Sequence, residues 1–285
     1  MIKSVLKRMI PDRIYLKMVF KLNMGYELDL KNPQTFNEKL QWLKLHDRNP
    51  YYTKLVDKYE VKKIVADKIG EEYVIPTYGV WKNIDDINFD KLPDKFVLKC
   101  THDCGSVIVI EEKKLLDIND IKKKLEPVLE QNYYYAGREW PYKNVKPRII
   151  AEAYLENRQG QSSENELIDY KVFCFHGKAV CVMLCTGRKT GNLNFYYFDR
   201  DWNFLRFDKR SLELDENFSI PKPEAMDKMF ELAEVLSKGM KHVRVDFYEV
   251  NNHIYFGELT FFTAGGFDKD ITREADLYLG SLIEI

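Results

Sequence analysis

At 285 residues, 45% hydrophobic and 31% charged, the chain has a globular make-up with room for one large domain or two, which excludes disorder and fibrous repeats. A net charge of −1 leaves no global basic field for nucleic acid, and no apolar run approaches the length of a membrane span. The opening MIKSVLKRMIPDR lacks the apolar core of a signal peptide, so the expectation is a cytoplasmic protein whose five cysteines stay reduced.

The first stretch is basic, with Lys3, Lys7, Arg8, Arg13, Lys17 and Lys21 set against Asp12. Ile2, Val5, Leu6 and Met9, then Ile14, Met18 and Leu22, recur at helical spacing on either side of Pro11. Such a helix either lies on an anionic membrane, here the inner face, or packs on its own domain with a solvated side. Residues 33–48 predict a helix, with Thr35 and Glu38 at capping-box spacing. Residues 50–69 predict a single further helix ended by Gly70. YVIPTYGVW reads as a strand broken by Pro76, and 95–111 as strand, polar turn, strand. Cys100, His102 and Cys104 cluster in that turn, but no second Cys/His pair stands at finger spacing. Cys181 and Cys185, in the strand AVCVMLC, suit burial.

Residues 118–131 predict a helix, 147–155 a strand and 156–166 a loop. Residues 167–185 predict two strands around His176-Gly177, FYYFDRDWNFLRF another hairpin, and 223–240 an amphipathic helix. HVRVDFYEV and IYFGELTFF close the chain as strands. The class is α+β, dominated by antiparallel hairpins.

The last hairpin carries the chemistry. A three-residue loop, Asn251 to His253, sets Val250 opposite Ile254, Asp246 opposite Glu258 and Arg244 opposite Thr260, all four on one face. Val243, Val245, Phe247, Leu259 and Phe261 form the other, core face. A two-residue loop would separate the acids. Facing carboxylates repel unless a cation joins them, and magnesium takes one or two carboxylates beside water and phosphate. The alternative is a surface pair, or an acid paired with Arg244. Upstream, Lys99 ends an apolar strand before a turn containing Gly105-Ser106. Amides beside a lysine suit phosphate, although this is no Walker loop and an ordinary hairpin would read the same.

In order, these pieces resemble the ATP-grasp superfamily. Its D-alanine–D-alanine ligases end on Arg-x-Asp, then Glu-x-Asn and a small Gly-rich turn. Arg244-Val245-Asp246, Glu258-Leu259-Thr260 and Ala264-Gly265-Gly266 match, with Thr260 replacing asparagine. The resemblance implies two α+β subdomains clasping ATP after an N-terminal helical pre-ATP-grasp region: residues 1–94, then a lid subdomain at 95–155 and a catalytic subdomain at 156–285. It implies magnesium on Asp246 and Glu258, with Thr260 beside them. It puts Lys58, Lys99 and Lys171 on nucleotide phosphates, and makes Cys104, Gly105 and Ser106 a shortened lid loop. Glu152, Ala153, Tyr154 and Leu155 become the hinge at the adenine, with Glu156 or Gln159 left for the ribose. Arg244 and Arg188 become the catalytic arginines.

A closer resemblance spans nearly the whole chain. TFNEKLQWLKLHDR, LVDKYEVKKIVADKIGEEYVIPTYGVW, DYKVFCFHGK and GELTFFTAGGFDK are similar to the TupA-like ATP-grasp family. That family is associated with bacterial surface-polysaccharide loci and teichuronopeptide synthesis, and its members are often labelled glycosyltransferases. The resemblance implies a ligase that joins a carboxylate, such as a uronic acid of a polysaccharide or lipid-linked precursor, to an amino acid or small amine. The alternatives are a phosphotransferase acting on a sugar hydroxyl and a glycosyltransferase using a nucleotide sugar.

Overall fold

The computed structural model describes residues 8–156, 167–187 and 191–285. They fall into two units, Arg48–Leu155 and the remainder, in which the chain up to Asp47 joins Glu156–Ile285. Strands pair antiparallel in both, as expected for an α+β protein built from hairpins.

The larger unit opens with α1 (Asp12–Met24), closed by left-handed Gly25. Tyr15, Leu16 and Phe20 are its buried residues and pack with Leu28 and Leu30. Ile14, Met18 and Leu22, the stripe read from the sequence, instead face outward. The capping box forms at α2 (Phe36–His46): Thr35 Oγ1 accepts the Glu38 amide at 3.2 Å, and Glu38 returns a carboxylate oxygen to the Thr35 amide at 3.1 Å. The sheet runs β10-β9-β5-β6-β7-β8, from β5 (Asp169–Phe175), β6 (Lys178–Thr186), β7 (Asn194–Asp199), β8 (Phe204–Leu205), β9 (His242–Val250) and β10 (His253–Thr260). Between β5 and β6, His176 and Gly177 both take positive φ, the two-residue turn that matches strand twist. Helix α6 (Met226–Ser237) packs on β5, β6 and β9, and α7 (Arg273–Ser281) packs on α2.

The final hairpin departs from expectation and still reaches the expected pairing. Its turn has two residues, not three. Asn251 and Asn252 sit at φ 54 and 62, and His253 pairs with Val250. Asparagine tolerates this left-handed region better than most residues, which favours the shorter turn. That register alone would bring residue 257 opposite Asp246. A bulge at Gly257 adds one residue to β10, so Glu258 pairs with Asp246 and Thr260 with Arg244.

In the smaller unit, the helix expected over 50–69 is two helices, α3 (Tyr51–Val56) and α4 (Glu60–Ile69). Asp57 breaks it: its carboxylate accepts the Tyr59 and Glu60 amides at 2.9 and 3.3 Å, while the Lys58 amide bonds Thr101 O. The apolar periodicity runs through the break, but Asp is a stronger cap than interior residue. The sheet order is β1-β4-β2-β3, from β1 (Thr77–Trp81, starting after Pro76), β2 (Phe96–Cys100), β3 (Val107–Ile110) and β4 (Ile149–Ala153). Phe96, Leu98 and Cys100 alternate into a core with Ile121 and Leu125 of α5 (Ile118–Leu129). Val97 and Lys99 take the other face. Cys174, Cys181 and Cys185 are likewise buried. No helix among the described residues is long and apolar enough to cross a membrane.

Candidate functional site

Strand alternation puts one row of side chains across the larger sheet: Glu258, Asp246, Lys171, Met183 and Tyr197, from β10 to β7. Thr260, Arg244 and Phe173 form the next row. Asp246, 2% exposed, is the hub. Arg244 grips it in a fork, Nε to Oδ1 at 2.6 Å and a terminal nitrogen to Oδ2 at 2.7 Å. Lys171 Nζ reaches Oδ2 at 2.5 Å and lies 3.4 Å from Asp169. Arg244 also donates to Thr260 Oγ1 at 3.1 Å, which donates to Glu258 Oε1 at 3.2 Å.

Burial alone would raise the Asp246 pKa, but Arg244 and then Lys171 outweigh it and hold the carboxyl below its ordinary value. Burial opposes the Arg244 charge and Asp246 more than restores it, so its pKa rises. Asp169 is buried beside Lys171 and bonds the Tyr248 phenol, whose pKa is pushed well up, chiefly by burial. The cluster holds Asp169, Asp246 and Glu258 against Lys171 and Arg244, one negative charge in excess.

The donor set fits magnesium. All its acceptors are hard oxygens. Asp246 Oδ1 accepts one hydrogen bond and Oδ2 two, which leaves Oδ1 a lone pair. The Glu258 side chain is 36% exposed, so its carboxylate stays open to solvent. Arg244 pairs mainly with Asp246. Its nearest approach to Glu258 is 3.6 Å.

After β10 comes a turn over Thr263–Gly266 in which Ala264, Gly265 and Gly266 all take positive φ. Helix α2 holds it from beneath. Gln41 Nε2 donates to Gly265 O and Gly266 O at 3.1 and 2.6 Å, and buried Lys44 donates to Gly265 O at 2.7 Å. Gly266 sits at φ 67, and a Cβ there would meet Leu40 Cβ at 3.0 Å and Gln41 Nε2 at 2.4 Å, so glycine is favoured there.

The smaller unit holds the second charged cluster. Glu152 is on β4, between β1 and β2 rather than at an edge. It accepts Lys62 at 2.7 Å and also contacts Lys99. Burial opposes its charge, and Lys99 and Lys62 together still hold its pKa below the ordinary value. Lys62 also donates to Ile75 O at 2.6 Å. Lys58 contacts Asp103 O, with its amine 3.9 Å from the carboxylate. The turn after Lys99 closes on that same carboxylate. Ser106 donates its amide to Asp103 Oδ2 at 3.1 Å and its hydroxyl to Oδ1 at 2.6 Å, while Gly105 sits at φ 108 and Cys104 is exposed. The Ala153 amide bonds Pro76 O at 2.9 Å, and the Tyr154 hydroxyl bonds Glu111. Leu155 ends the unit.

The structure therefore gathers Lys171, Arg244, Asp246, Glu258 and Thr260 in one unit, and Lys58, Lys99, Glu152 and the 104–106 turn in the other. Glu156 belongs to the first unit, where its carbonyl accepts Asn251 at 3.4 Å. Arg188 and Gln159 lie outside the described residues. Sequence reading missed Lys62, Gln41 and Lys44 as partners of these groups. Each stands in an amphipathic helix where a polar residue reads as solvated, and only the tertiary fold brings it to an acid or a carbonyl.

A family model described as TupA-like ATPgrasp matches residues 38–284. No curated protein matches the chain. Among solved structures, D-alanine–D-alanine ligase from Bacillus anthracis complexed with ATP is 17% identical at TM-score 0.42, over 73% of this chain and 53% of that one. The Helicobacter pylori D-alanine–D-alanine ligase is 16% identical at TM-score 0.42, over 87% and 69%. The ATP-grasp ligase PsnB with minimal precursor, Mg and ADP is 11% identical at TM-score 0.38, over 79% and 57%. The chain thus spans about half the length of the first of these.

Proposed function

We propose that this chain, which belongs to the TupA-like ATP-grasp family, is an ATP- and magnesium-dependent carboxylate–amine ligase. The observation that carries the reading is the convergence of Lys171 and Arg244 on buried Asp246, with Glu258 and Thr260 on the same face. Two fixed cations beside a net negative oxygen cluster suit a nucleotide that arrives with its metal.

The substrate carboxylate attacks the γ-phosphorus, the bond to the bridging oxygen breaks, and ADP leaves with that electron pair. An amine then attacks the acyl carbon, phosphate departs with the electrons of the C–O bond, and the amine proton passes to solvent. Lys171 and Arg244 neutralise charge on the transferring phosphoryl group, Lys171 exchanging Asp246 for a phosphate oxygen. Arg188 is assigned to the acyl oxygen. Asp246 and Glu258 would hold magnesium, with Thr260 beside them, and the metal would supply charge neutralisation at the phosphates. Lys58, Lys99 and the Cys104-Gly105-Ser106 turn are assigned to nucleotide phosphate oxygens, and Glu152 to Leu155 to the adenine. For the substrates we favour a uronic acid of a bacterial surface polysaccharide or its lipid-linked precursor, and an amino acid as the amine. Support for those identities is the association of the family with surface-polysaccharide loci.

Calorimetric titration with Mg-ATP and with a nucleotide sugar, on wild type and Asp246→Asn, tests the first step. Binding of Mg-ATP to wild type alone is expected, and binding of the nucleotide sugar alone overturns the reading. Phosphate release that requires both a uronic acid and an amine is expected next. ADP formation without phosphate release would make the enzyme a phosphotransferase.

A further inference from the structure

Helix α1 carries a feature that the nucleotide chemistry does not use. It is 13 residues long, roughly 20 Å. Tyr15, Leu16 and Phe20 fasten one side to Leu28, Leu30 and Phe267, so the opposite side is presented by a fixed body. On that side Ile14 and Met18 are each 53% exposed and Leu22 is 81% exposed. Arg13, Lys17 and Lys21 form a second exposed column one residue back from the first. Steps of four residues keep each column on one side of a helix. The outward surface is therefore an apolar ridge with a basic ridge beside it. Three acids lie near it: Asp12 opens the helix, Glu27 pairs with Lys21 beyond its end, and exposed Asp29 lies within electrostatic reach of Lys17, exposed contacts of small strength.

Apolar side chains left in water across several turns of a fixed helix call for a covering surface. Three properties select an anionic lipid surface over a protein groove. The apolar column is one residue wide, enough for shallow insertion between headgroups. The basic column runs parallel to it, where it would meet phosphates at the same depth. No helix among the described residues is suited to crossing the bilayer, so the helix would lie in the interfacial plane.

We infer that α1 docks the protein on anionic membranes, with Ile14, Met18 and Leu22 inserted among headgroups and Arg13, Lys17 and Lys21 on lipid phosphates. This does not depend on the ligase reading. The test is co-sedimentation of the full chain with vesicles of phosphatidylcholine alone or mixed with phosphatidylglycerol, at low and high salt. Wild type should sediment with the mixed vesicles and be released by salt. Each of Arg13→Gln and Lys17→Gln should weaken binding about fivefold. Met18→Asp combined with Leu22→Asp should abolish it. All of these positions are exposed, so circular dichroism and the nucleotide titration should stay as in wild type. Wild type remaining in the supernatant overturns the inference, as does sedimentation indifferent to these substitutions. Concentration-dependent self-association broken by Met18→Asp/Leu22→Asp, without vesicle binding, would also overturn it and give the face to a second copy of the chain.

Discussion

Glu152 and Asp246 are both buried carboxylates gripped by two cations, and both keep their protons off despite burial. Their neighbourhoods differ in sign. Glu152 faces Lys62 and Lys99 alone, which leaves a positive excess. Asp246 faces Lys171 and Arg244 in the company of Asp169 and Glu258, which leaves a negative one. In each cluster the central acid keeps long basic side chains charged and in place. On the proposed reading, the positive cluster serves phosphate and the negative cluster a cation. The Arg244 and Lys171 side chains are also the better buried, 10% and 9% exposed against 17% for Lys99, so losing the hub acid should cost more there.

Asp246→Asn should therefore be the most damaging change. It strands two buried cations and should destabilise the fold by about 3–5 kcal/mol in urea unfolding, with loss of magnesium-dependent ATP binding. Glu152→Gln should cost less, about 2–3 kcal/mol, because Lys62 and Lys99 keep some access to water. It should weaken ATP binding while leaving the magnesium dependence intact. Equal costs, or a shift of the metal dependence by Glu152→Gln, would break the contrast between the clusters.

Much of this was legible in the sequence, for reasons particular to each element. The Thr35 capping box, the His176-Gly177 turn and the core alternation of Val243, Val245 and Phe247 follow from local rules, and all three form. Asp246 and Glu258 do pair, but through a two-residue turn corrected by a bulge. Neither device has a pattern that an alternation count detects, and the three-residue loop was the simplest way to obtain the same partners. The break at Asp57 was hidden because the apolar periodicity runs through its cap, and the bond that supports it, the Lys58 amide on Thr101 O, lies across the fold. Lys62, Gln41 and Lys44 were hidden likewise, since a helical lysine or glutamine does not declare its partner. The outward turn of Ile14, Met18 and Leu22 was hidden because two apolar stripes of α1 compete and only the packed body selects one.

The acid response can be separated from both clusters. His242, two residues from Arg244, is buried against Phe36, Phe173 and Phe175 with Nδ1 on Cys174 O. Burial pushes its pKa down to about 3. The unfolded chain therefore takes up the proton first. This contribution to stability is complete above pH 6.5 and declines as pH falls towards 3, by about 2 kcal/mol at pH 5. The depressed Asp246 and Glu152 act lower: their contributions persist above the ordinary carboxyl values and are lost as pH falls through the lowered ones. Urea unfolding across pH 7 to 5 should show the histidine slope, and His242→Phe should flatten it. A slope that survives this substitution would move the titration into the charged clusters.

Gly257 gives the smallest expected change in stability and the sharpest test of how the negative cluster is assembled. A Cβ there would lie 3.1 Å from both Asp246 O and the Tyr248 ring, so these neighbours must give by a few tenths of an ångström, and the two methyls of a valine ask for more. Gly257→Val should cost about 1–2 kcal/mol, in the range of overpacking. Its larger effect should be on position. Glu258 shares a face with Asp246 only because the bulge inserts one residue, and a one-residue slip would turn it towards the core side. The magnesium concentration needed for half-maximal ATP binding should then rise by far more than the loss of stability explains. The same requirement should be unaltered by Val250→Ile, a buried change at the hairpin end that leaves the bulge in place. If Gly257→Val behaves like Val250→Ile, the metal does not depend on Glu258 facing Asp246, and the negative cluster owes its surplus charge to Asp169 instead.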